Sequence, residues 1–378
     1  MGELKVAIVG CGKIADGHVE EIQKLGHLAR IVAVCDREMV MARQLAVRYG
    51  VPNTYDDYDA MLRTEKPDVV HVTTPPQVHK DLAMKAIDAG AHVFVEKPLT
   101  LDYAASRALV EYADRAKKKL GVGYSYHFEP HAEELRNLVR AGAIGDVVHL
   151  ESFYGYDLSG AFGKALLGDP SHWVHAMPGK LLQNTLDHAL AKIVEFIPDE
   201  RPEITAFGSL RREARFGDRR DELCDEARIV IRGQRVTSYV TFSAHARPVA
   251  HTLRVYGTKN TAHLDYNNRT CTLERTPTLP SAVGRLTPAF ENALAFAAQG
   301  FRNMRRFSRS KFHFFAGLGL MFERYYESIL KDSEPPVAHR DILRVAWMLD
   351  RIFAEVDASL TTSKRRDTSS NPTEAEAR

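Results

Sequence analysis

Short apolar runs rich in β-branched residues alternate with longer amphipathic stretches in the first third of the chain, up to about Tyr124. This alternation is typical of βαβ units, which build a parallel sheet covered by helices. In Asp81–Ala89 and Tyr103–Lys119, apolar residues recur at the spacing of a helix face. The predicted strands are Leu4–Val9, Ile31–Cys35, Val69–Thr73, His92–Val95 and Leu120–Gly123. The pattern therefore predicts a doubly wound α/β domain over residues 1–124.

After Tyr126 the pattern changes to one helix, Pro130–Ala141, followed by several strand-like runs in succession. Successive strands joined by polar and glycine-containing turns favour an antiparallel or mixed open sheet. The predicted strands are Val147–Tyr156, Ile204–Leu210, Ala227–Ile231, Val236–Ala244 and Thr252–Tyr256. We predict an α+β domain over residues 125–357, with a large open, mostly antiparallel sheet.

Helical periodicity returns at Ala289–Gly300, Phe314–Leu330 and His339–Val356. The segment 301–311 interleaves five cations with aromatic residues. We interpret it as a solvated loop or a subunit contact, with an anionic ligand or an acidic membrane surface as the alternative. Residues 358–378 are rich in Ser, Thr, Glu and Arg and are predicted to form a disordered tail.

Composition narrows the class of protein. Hydrophobic residues make up 44% and charged residues 26% of the 378, which is ordinary for a folded domain in water. The net charge of +2, without a basic arm, does not indicate a nucleic-acid partner, and no apolar run reaches the ~18 residues of a membrane span. Four widely spaced cysteines and no leader-like segment favour a cytoplasmic protein. No metal site is predicted, because His172 and His175 have no third ligand nearby.

The first strand leads directly into Gly10-Cys11-Gly12-Lys13-Ile14-Ala15, a G-x-G-x-x-A fingerprint that opens a helical stretch. Gly10 permits a tight turn, Gly12 lets the backbone approach a pyrophosphate, and Ala15 lets the helix pack closely on the strand. The helix N-terminus then faces the anion. The fingerprint predicts a dinucleotide site.

Asp36 follows the second predicted strand, 24 positions after Gly12. A carboxylate there accepts hydrogen bonds from the ribose hydroxyls and repels a 2′-phosphate, which favours NAD(H). Arg37, next to it, could stack on adenine or compensate a 2′-phosphate, so NADP(H) stays open as the alternative.

Further motifs follow the next strands. Strand His92–Val95 ends in Glu96-Lys97-Pro98, and the preceding strand leads into Thr73-Thr74-Pro75-Pro76 and then His79. With the fingerprint, Gly142-Ala143-Ile144-Gly145-Asp146 and Glu334-Pro335-Pro336-Val337, these motifs make most of the chain resemble the glucose-fructose oxidoreductase/inositol dehydrogenase (Gfo/Idh/MocA) family.

The resemblance implies a dehydrogenase that transfers a hydride between NAD(H) and a hydroxyl-bearing carbon of a sugar, cyclitol or sugar derivative. Nucleotide-linked sugars are included in this substrate class. It also implies a homodimer or homotetramer, for which the open sheet offers a contact face. The expected cofactor-binding residues are Gly10, Cys11, Gly12, Lys13, Ile14, Ala15, Asp36, Arg37, Thr73, Thr74, Pro75, His79, Glu96 and Lys97.

By this resemblance Lys97 is catalytic and lies beside the nicotinamide and the substrate hydroxyl. Partial burial there would lower its pKa and let it exchange a proton near neutral pH. Glu96 is expected to contact the nicotinamide ribose or to orient Lys97.

The segment 178–188 resembles the family's glycine-rich helix start, in which an acidic residue stands four positions before a histidine. Asn184 and His188 occupy these places. His188 is a second candidate acid/base, whereas Asn184 can hydrogen-bond a hydroxyl but cannot take a proton. Asp187 is about 100° around the helix from His188, so we do not expect it to replace the missing carboxylate.

The expected substrate-binding residues are Lys97, Tyr126, His127, Trp173, Asn184 and His188. For Tyr126 and His127, packing at the domain junction is the alternative role. Trp173 is expected to pack over the sugar or cofactor pocket.

Two other functions remain open. An enzyme of this fold can use NAD as a bound catalyst for elimination or glycoside cleavage, as some family members do. A regulator that senses NAD or a sugar without turnover is the other alternative. Lys97 counts against the regulator, because a sensor needs no positioned acid/base.

Overall fold

The computed structural model describes residues 2–211, 214–216, 219–221, 223–277, 281–309 and 316–369. Its first part is a six-stranded parallel sheet in the order β3-β2-β1-β4-β5-β6, which confirms the predicted parallel sheet and adds one short strand, β3, that was not predicted. The strands are β1 Leu4–Val9, β2 Ala29–Cys35, β3 Asn53–Tyr55, β4 Val69–Val72, β5 His92–Val95 and β6 Leu120–Val122. The helices are α1 Lys13–Lys24, α2 Met39–Tyr49, α3 Tyr58–Glu65, α4 His79–Asp88 and α5 Tyr103–Arg115.

The central strands of this sheet are mostly apolar and almost completely buried because helices cover both faces. All four residues of β4 are buried, and Val6, Ile8 and Val93 are fully enclosed. The strand order reverses between β1 and β4, which is the place where open α/β sheets bind ligands at their carboxyl edge. The fingerprint and the motifs after β4 and β5 all lie at that edge.

The second part is an open seven-stranded sheet in the order β15-β14-β13-β7-β12-β11-β8. All its pairs are antiparallel except β7 with β12, so the predicted fold class is confirmed. Its strands are β7 Val147–Gly155, β8 Glu203–Ser209, β11 Glu226–Arg232, β12 Thr237–Ser243, β13 His251–Gly257, β14 Asn260–Asp265 and β15 Thr270–Arg275, and β9 Ala214–Phe216 pairs separately with β10 Arg219–Asp221. The helices are α6 Pro130–Arg140, α7 Ala161–Gly168 and α8 Lys180–Val194.

Helix α8 covers the inner face of the second sheet. It is buried along most of its length, and the Ser152 hydroxyl of β7 donates a hydrogen bond of 3.0 Å to the Ala189 carbonyl. This contact fixes the helix that carries Asn184 and His188 against the sheet.

Two of the three C-terminal helices, the first and the last, are longer than predicted. The three helices are α9 Ser281–Phe307, α10 Ala316–Leu330 and α11 His339–Ser369. Helix α9 includes residues 301–307, which the sequence assigned to a loop. Helix α11 covers 358–369, most of the expected disordered tail, because the apolar spacing continues from Val356 to Leu360, which packs on the core. Residues 310–315 and 370–378 lie outside the described residues.

Helix α10 returns to the first sheet and packs across its far face. Phe322 makes ring contacts at 4.9 Å with Phe94 and 4.8 Å with His71. The Tyr325 hydroxyl donates to the carbonyls of Val93 at 2.7 Å and Lys119 at 3.0 Å. The fold of the first domain therefore includes a helix from the end of the chain. None of the described helices is both long and apolar enough to cross a membrane.

We expect Tyr325→Phe to lower the free energy of unfolding by about 1 kcal/mol, because the substitution removes a fully buried hydroxyl and two carbonyls lose its hydrogen bond. Equilibrium unfolding in urea measures the change. Tyr239→Phe, at an exposed ring on the second sheet, is the matched control and should leave stability unchanged. Equal effects of the two variants would contradict this role of α10.

Candidate functional site

The glycine turn after β1 has the geometry of a phosphate cradle. Gly10 has φ +94°, and a Cβ atom there would lie 2.7 Å from the Thr74 backbone nitrogen. A Cβ atom on Gly12 would meet nothing within 4 Å, so this side of the turn is open. Gly12 is also the N-cap of α1, and no side chain caps the amide groups of that helix end. Both features suit a pyrophosphate at the helix N-terminus.

Asp36 stands beside this turn, at the end of β2. Its carboxylate accepts hydrogen bonds from the Cys11 amide at 2.7 Å and the Glu38 amide at 2.9 Å. Burial raises the pKa of the Cys11 thiol to about 12, so the thiol stays protonated. The Arg37 side chain is 92% exposed and lies 3.8 Å from Glu38. Of Asp36 and Arg37, therefore, only the Asp36 carboxylate is held in position by hydrogen bonds.

The loop after β4 closes against the glycine turn. The Thr73 hydroxyl donates to the Gly10 carbonyl at 2.6 Å. The Thr74 hydroxyl is buried and has no hydrogen-bond partner among the described residues. The ring nitrogens of His79 lie 2.7 Å from the Thr74 carbonyl and 3.0 Å from the Pro98 carbonyl. His79 thus links the loops after β4 and β5.

The other predicted cofactor contacts lie around this edge. Lys13 and Pro75 are exposed, Ile14 is half-buried, and Ala15 is fully buried against the sheet. The open side of Gly12, the uncapped end of α1 and the unpartnered Thr74 hydroxyl together fit a dinucleotide.

Lys97 lies where the first sheet meets α8. Its ammonium group donates to the Asn184 carbonyl at 3.1 Å and to the Asn184 side-chain oxygen at 3.3 Å. Burial lowers the pKa of Lys97, while the negative charges of Glu96 and Asp187 oppose that shift. A half-buried ammonium with a lowered pKa gives up its proton more readily than an exposed lysine does.

Asp187 is part of this site, although the sequence analysis set it aside. It is fully buried, and neither carboxylate oxygen has a hydrogen-bond partner within the described residues. Burial raises its pKa to about 7, against the lowering effects of Lys97 and the Tyr124 hydroxyl. The Asp187 side chain points about 100° away from that of His188 around the helix, which is why it was not expected in the site. Measured from Asn184, which touches Lys97, Asp187 is three residues on and therefore on the same side of α8.

His188 lies on the other side of Asn184, among aromatic rings. Tyr126 meets it edge-on at 4.9 Å, and Tyr154 stacks on it at 5.4 Å. Burial, followed by the positive charges of Lys97, His251 and Lys192, holds the pKa of His188 well below its ordinary value. The imidazole is therefore neutral, and its Nδ1 atom is buried without a partner among the described residues.

The other two predicted pocket residues are placed differently. His127 is buried and directs its Nδ1 atom toward Arg136, 3.1 Å away, rather than toward Lys97, Asn184 or His188. Trp173 stacks on His172 at 5.5 Å, and its carbonyl accepts a hydrogen bond from Gln77 at 2.9 Å. Through Gln77 it reaches the loop after β4, beside the dinucleotide edge.

A buried chain of hydrogen bonds supports the site from behind. Glu96 lies 2.8 Å from His18 Nε2, His18 Nδ1 lies 2.9 Å from His71 Nδ1, and His71 Nε2 lies 2.8 Å from the Tyr326 hydroxyl. Burial alone would raise the pKa of Glu96. The hydrogen bond and charge of His18, together with Lys97, outweigh burial and hold this pKa below its ordinary value. The Glu96 carboxylate also accepts from the Lys97 amide at 3.1 Å. Glu96 thus faces the protein interior and orients Lys97 through the backbone.

The sequence reasoning missed this chain, and His71 was the available signal. It is a polar residue in the middle of the buried strand Val69–Val72, where it needs hydrogen-bond partners. His18 in α1 and Tyr326 in α10 are distant in sequence, so only the fold brings them to it.

Lys192, one helical turn after His188, is another residue that the sequence analysis did not single out. Its ammonium group is enclosed by the rings of Tyr266 at 4.8 Å, Tyr154 at 5.4 Å and Tyr126 at 5.7 Å. Burial lowers its pKa to about 7. Within the described residues, three or more potential metal ligands do not cluster anywhere.

Two family models match the chain. Residues 4–124 match the oxidoreductase family with an NAD-binding Rossmann fold, and residues 132–263 match the GFO/IDH/MocA C-terminal domain. The two matches correspond to the two sheets described above.

Sequence relatives match part of the chain. The D-glucoside 3-dehydrogenase of Escherichia coli K12 is 34% identical over 144 residues, which are 38% of this chain and 41% of that enzyme. The scyllo-inositol 2-dehydrogenase (NAD(+)) of Bacillus subtilis is 28% identical over 151 residues, 40% of this chain and 44% of that enzyme. The matches thus span less than half of either relative.

Solved structures share the complete fold. The WlbA dehydrogenase of Bordetella pertussis, in complex with NADH and UDP-GlcNAcA, has a TM-score of 0.73 and 16% identity, over 94% of this chain and 96% of that chain. With both family models matching its two parts in order, the chain belongs to the Gfo/Idh/MocA oxidoreductase family.

Proposed function

We propose that the protein is an NAD(H)-dependent dehydrogenase that transfers a hydride between nicotinamide and a hydroxyl-bearing carbon of a sugar, cyclitol or sugar derivative. The observation that carries this proposal is Lys97, a half-buried ammonium with a lowered pKa at the carboxyl edge of the parallel sheet. It faces a helix that supplies both a carboxyl group and a neutral imidazole.

The residues around the glycine turn would hold the dinucleotide. Gly10, Gly12 and the end of α1 suit the pyrophosphate, and Asp36 suits the adenosine ribose hydroxyls. Because a carboxylate repels a 2′-phosphate, NAD(H) is favoured over NADP(H). When bound, the nicotinamide supplies the hydride acceptor or donor.

Lys97 would hold the substrate hydroxyl and remove its proton during oxidation. It can do so only in the amine form, which burial favours. Asp187, with a pKa of about 7, does not touch Lys97, but each affects the pKa of the other, so this carboxyl would be the proton acceptor that the amide at position 184 cannot be. In the reductive direction the same groups return the proton.

His188, Asn184 and Tyr126 would position the substrate ring. The neutral imidazole can donate or accept a hydrogen bond, and the Asn184 amide can do both. Tyr126 offers a ring face to the apolar side of a sugar. The named sugar and inositol dehydrogenases among the relatives support this substrate class.

The outer face of the second sheet supports a homodimer or homotetramer. Phe207 and Tyr239 are more than half exposed there, on strands that are buried on their other side. An exposed apolar sheet face of this kind is a common subunit contact.

NADH fluorescence during titration into the protein, followed by an absorbance assay for NADH with a panel of sugars, cyclitols and nucleotide sugars, tests the proposal. Binding with turnover on a member of the panel is the expected result. Cofactor binding without net NADH formation, but with cleavage of a glycoside, would replace it with the redox-assisted reaction. Absence of NADH binding would overturn it.

Lys97→Ala should abolish turnover while NADH affinity stays within about threefold, because Lys97 acts at the reacting hydroxyl and not on the phosphates. Steady-state rates and fluorescence titration measure the two effects. Lys85→Ala, at an exposed lysine of α4, is the control and should behave as the unaltered protein. Loss of NADH binding together with turnover in Lys97→Ala would contradict the assignment.

Asp36→Ala should weaken NAD binding by about tenfold and reduce the preference against NADP, because the ribose loses its acceptor and the 2′-phosphate loses its repulsion. The ratio of the two dissociation constants is the measurement. An unchanged ratio would remove Asp36 from the cofactor site.

Asp187→Asn should flatten the pH dependence of stability and lower kcat at neutral pH. Since the pKa of Asp187 is raised in the folded protein, the folded carboxyl keeps its proton at pH values where the unfolded chain has released it. The free energy of unfolding therefore falls progressively as the pH rises from about 4 to about 7, by on the order of 4 kcal/mol. Urea unfolding across this range measures the effect. Parallel stability curves for the variant and the unaltered protein would disprove the buried ionisation.

A further inference from the structure

Helix α9 carries its apolar residues on the side that faces water. Seven of its large apolar side chains are between 53% and 72% exposed. They are Leu286, Phe290, Leu294, Phe296, Phe301, Met304 and Phe307. The other exposed large apolar residues of the described chain are dispersed over several elements, and no other helix or strand carries a comparable number.

The side of α9 that faces the protein is polar. Gln299, only 2% exposed, donates to the Cys271 carbonyl at 2.5 Å and to Glu134 at 3.1 Å. Asn303 donates to the carbonyls of Asn268 at 2.9 Å and Arg269 at 3.2 Å. The helix is therefore fixed to the end of β15 by hydrogen bonds rather than by apolar packing.

The two faces are opposite in the geometry of the helix. At 3.6 residues per turn, Gln299 and Asn303 share one side, and Phe290, Leu294 and Phe301 point roughly 140–180° away from Gln299. A surface helix of a water-exposed protein has the reverse arrangement. A contiguous apolar face of this kind marks a surface that another apolar phase covers.

The charges on α9 identify that phase. Arg302, Arg305, Arg306 and Arg309 follow one flank of the apolar face, whereas Glu291 is the one acid from Ser281 to Arg309. A second copy of the helix would bring another arginine row to the same seam with little negative charge to balance it. A layer of anionic lipid supplies both acyl chains and phosphate groups.

We propose that α9 is a membrane-docking helix that lies in the surface of an anionic bilayer. The phenylalanine and leucine side chains insert to the level of the acyl chains, and the exposed Arg305 and Arg309 contact the lipid phosphates, whereas Arg302 is paired with Glu134. Gln299 and Asn303 keep the helix attached to the second sheet while its other face is in the lipid. This peripheral binding brings the dehydrogenase site to a membrane surface without a membrane span.

Co-sedimentation of the full chain with vesicles tests the proposal. We expect binding to vesicles of phosphatidylglycerol mixed with phosphatidylcholine, weaker binding to phosphatidylcholine alone, and loss of binding as salt is raised. The combined variant Phe290→Ser, Leu294→Ser and Phe301→Ser should lower the partition coefficient by about tenfold or more. Arg305→Glu with Arg309→Glu should have a similar effect at low salt.

Matched controls change the same chemistry on another surface. Val47→Ser removes an 86% exposed apolar side chain from α2, and Arg43→Glu with Arg63→Glu reverses two exposed charges of the first domain. Both should leave vesicle binding unchanged. Thermal unfolding of every variant, which does not depend on the proposed enzymatic activity, shows that the fold is retained.

Three results would overturn the proposal. The first is no binding to anionic vesicles, and the second is binding that the α9 variants do not weaken. The third is an oligomer, measured by light scattering without lipid, that the serine variant dissociates, because the apolar face would then be covered by a second copy of the chain.

Discussion

The site depends on one ammonium group held between two parts of the fold. Lys97 extends from the end of β5, and its hydrogen bonds to Asn184 join the first sheet to α8. Withdrawing this cation from water is unfavourable unless nearby negative charge compensates it. Glu96 and Asp187 supply that charge from opposite sides of the seam. The relative position of the sheet and the helix is therefore also an electrostatic requirement.

The ionised Glu96 in turn needs support, because it is almost completely buried. His18 provides it directly, and His71 and Tyr326 extend the hydrogen bonds to the far side of the sheet. One consistent arrangement of the ring and hydroxyl hydrogens has every donor of this chain pointing toward the carboxylate. Tyr326 comes from α10, so the return of the chain to the first domain completes the support of the lysine. This gives a physical reason for a C-terminal helix in the N-terminal fold.

The features that could be predicted from the sequence are those that residues close together in the chain determine. The strands β1 and β5 and the glycine turn are specified by neighbouring residues, and the structure has them at the predicted positions. Asp187, Lys192 and His18 acquire their surroundings only from tertiary packing, so periodicity gave no sign of them. The extent of α9 was underestimated for a related reason. Its polar residues face the protein, whereas the helix prediction assumed that the apolar residues of a helix face inward, so the predicted helix was too short.

The pairing of Lys97 with Asp187 explains how a proton could leave such an enclosed site. Burial penalises the charged form of both groups, which lowers the pKa of the lysine and raises that of the carboxyl. Both shifts lower the cost of moving a proton from the ammonium to the carboxylate, which would convert two buried charges into two neutral groups. The carboxylate at position 187 can therefore do what the amide at position 184 cannot. Its distance of three residues keeps it on the same side of α8, where the ammonium lies.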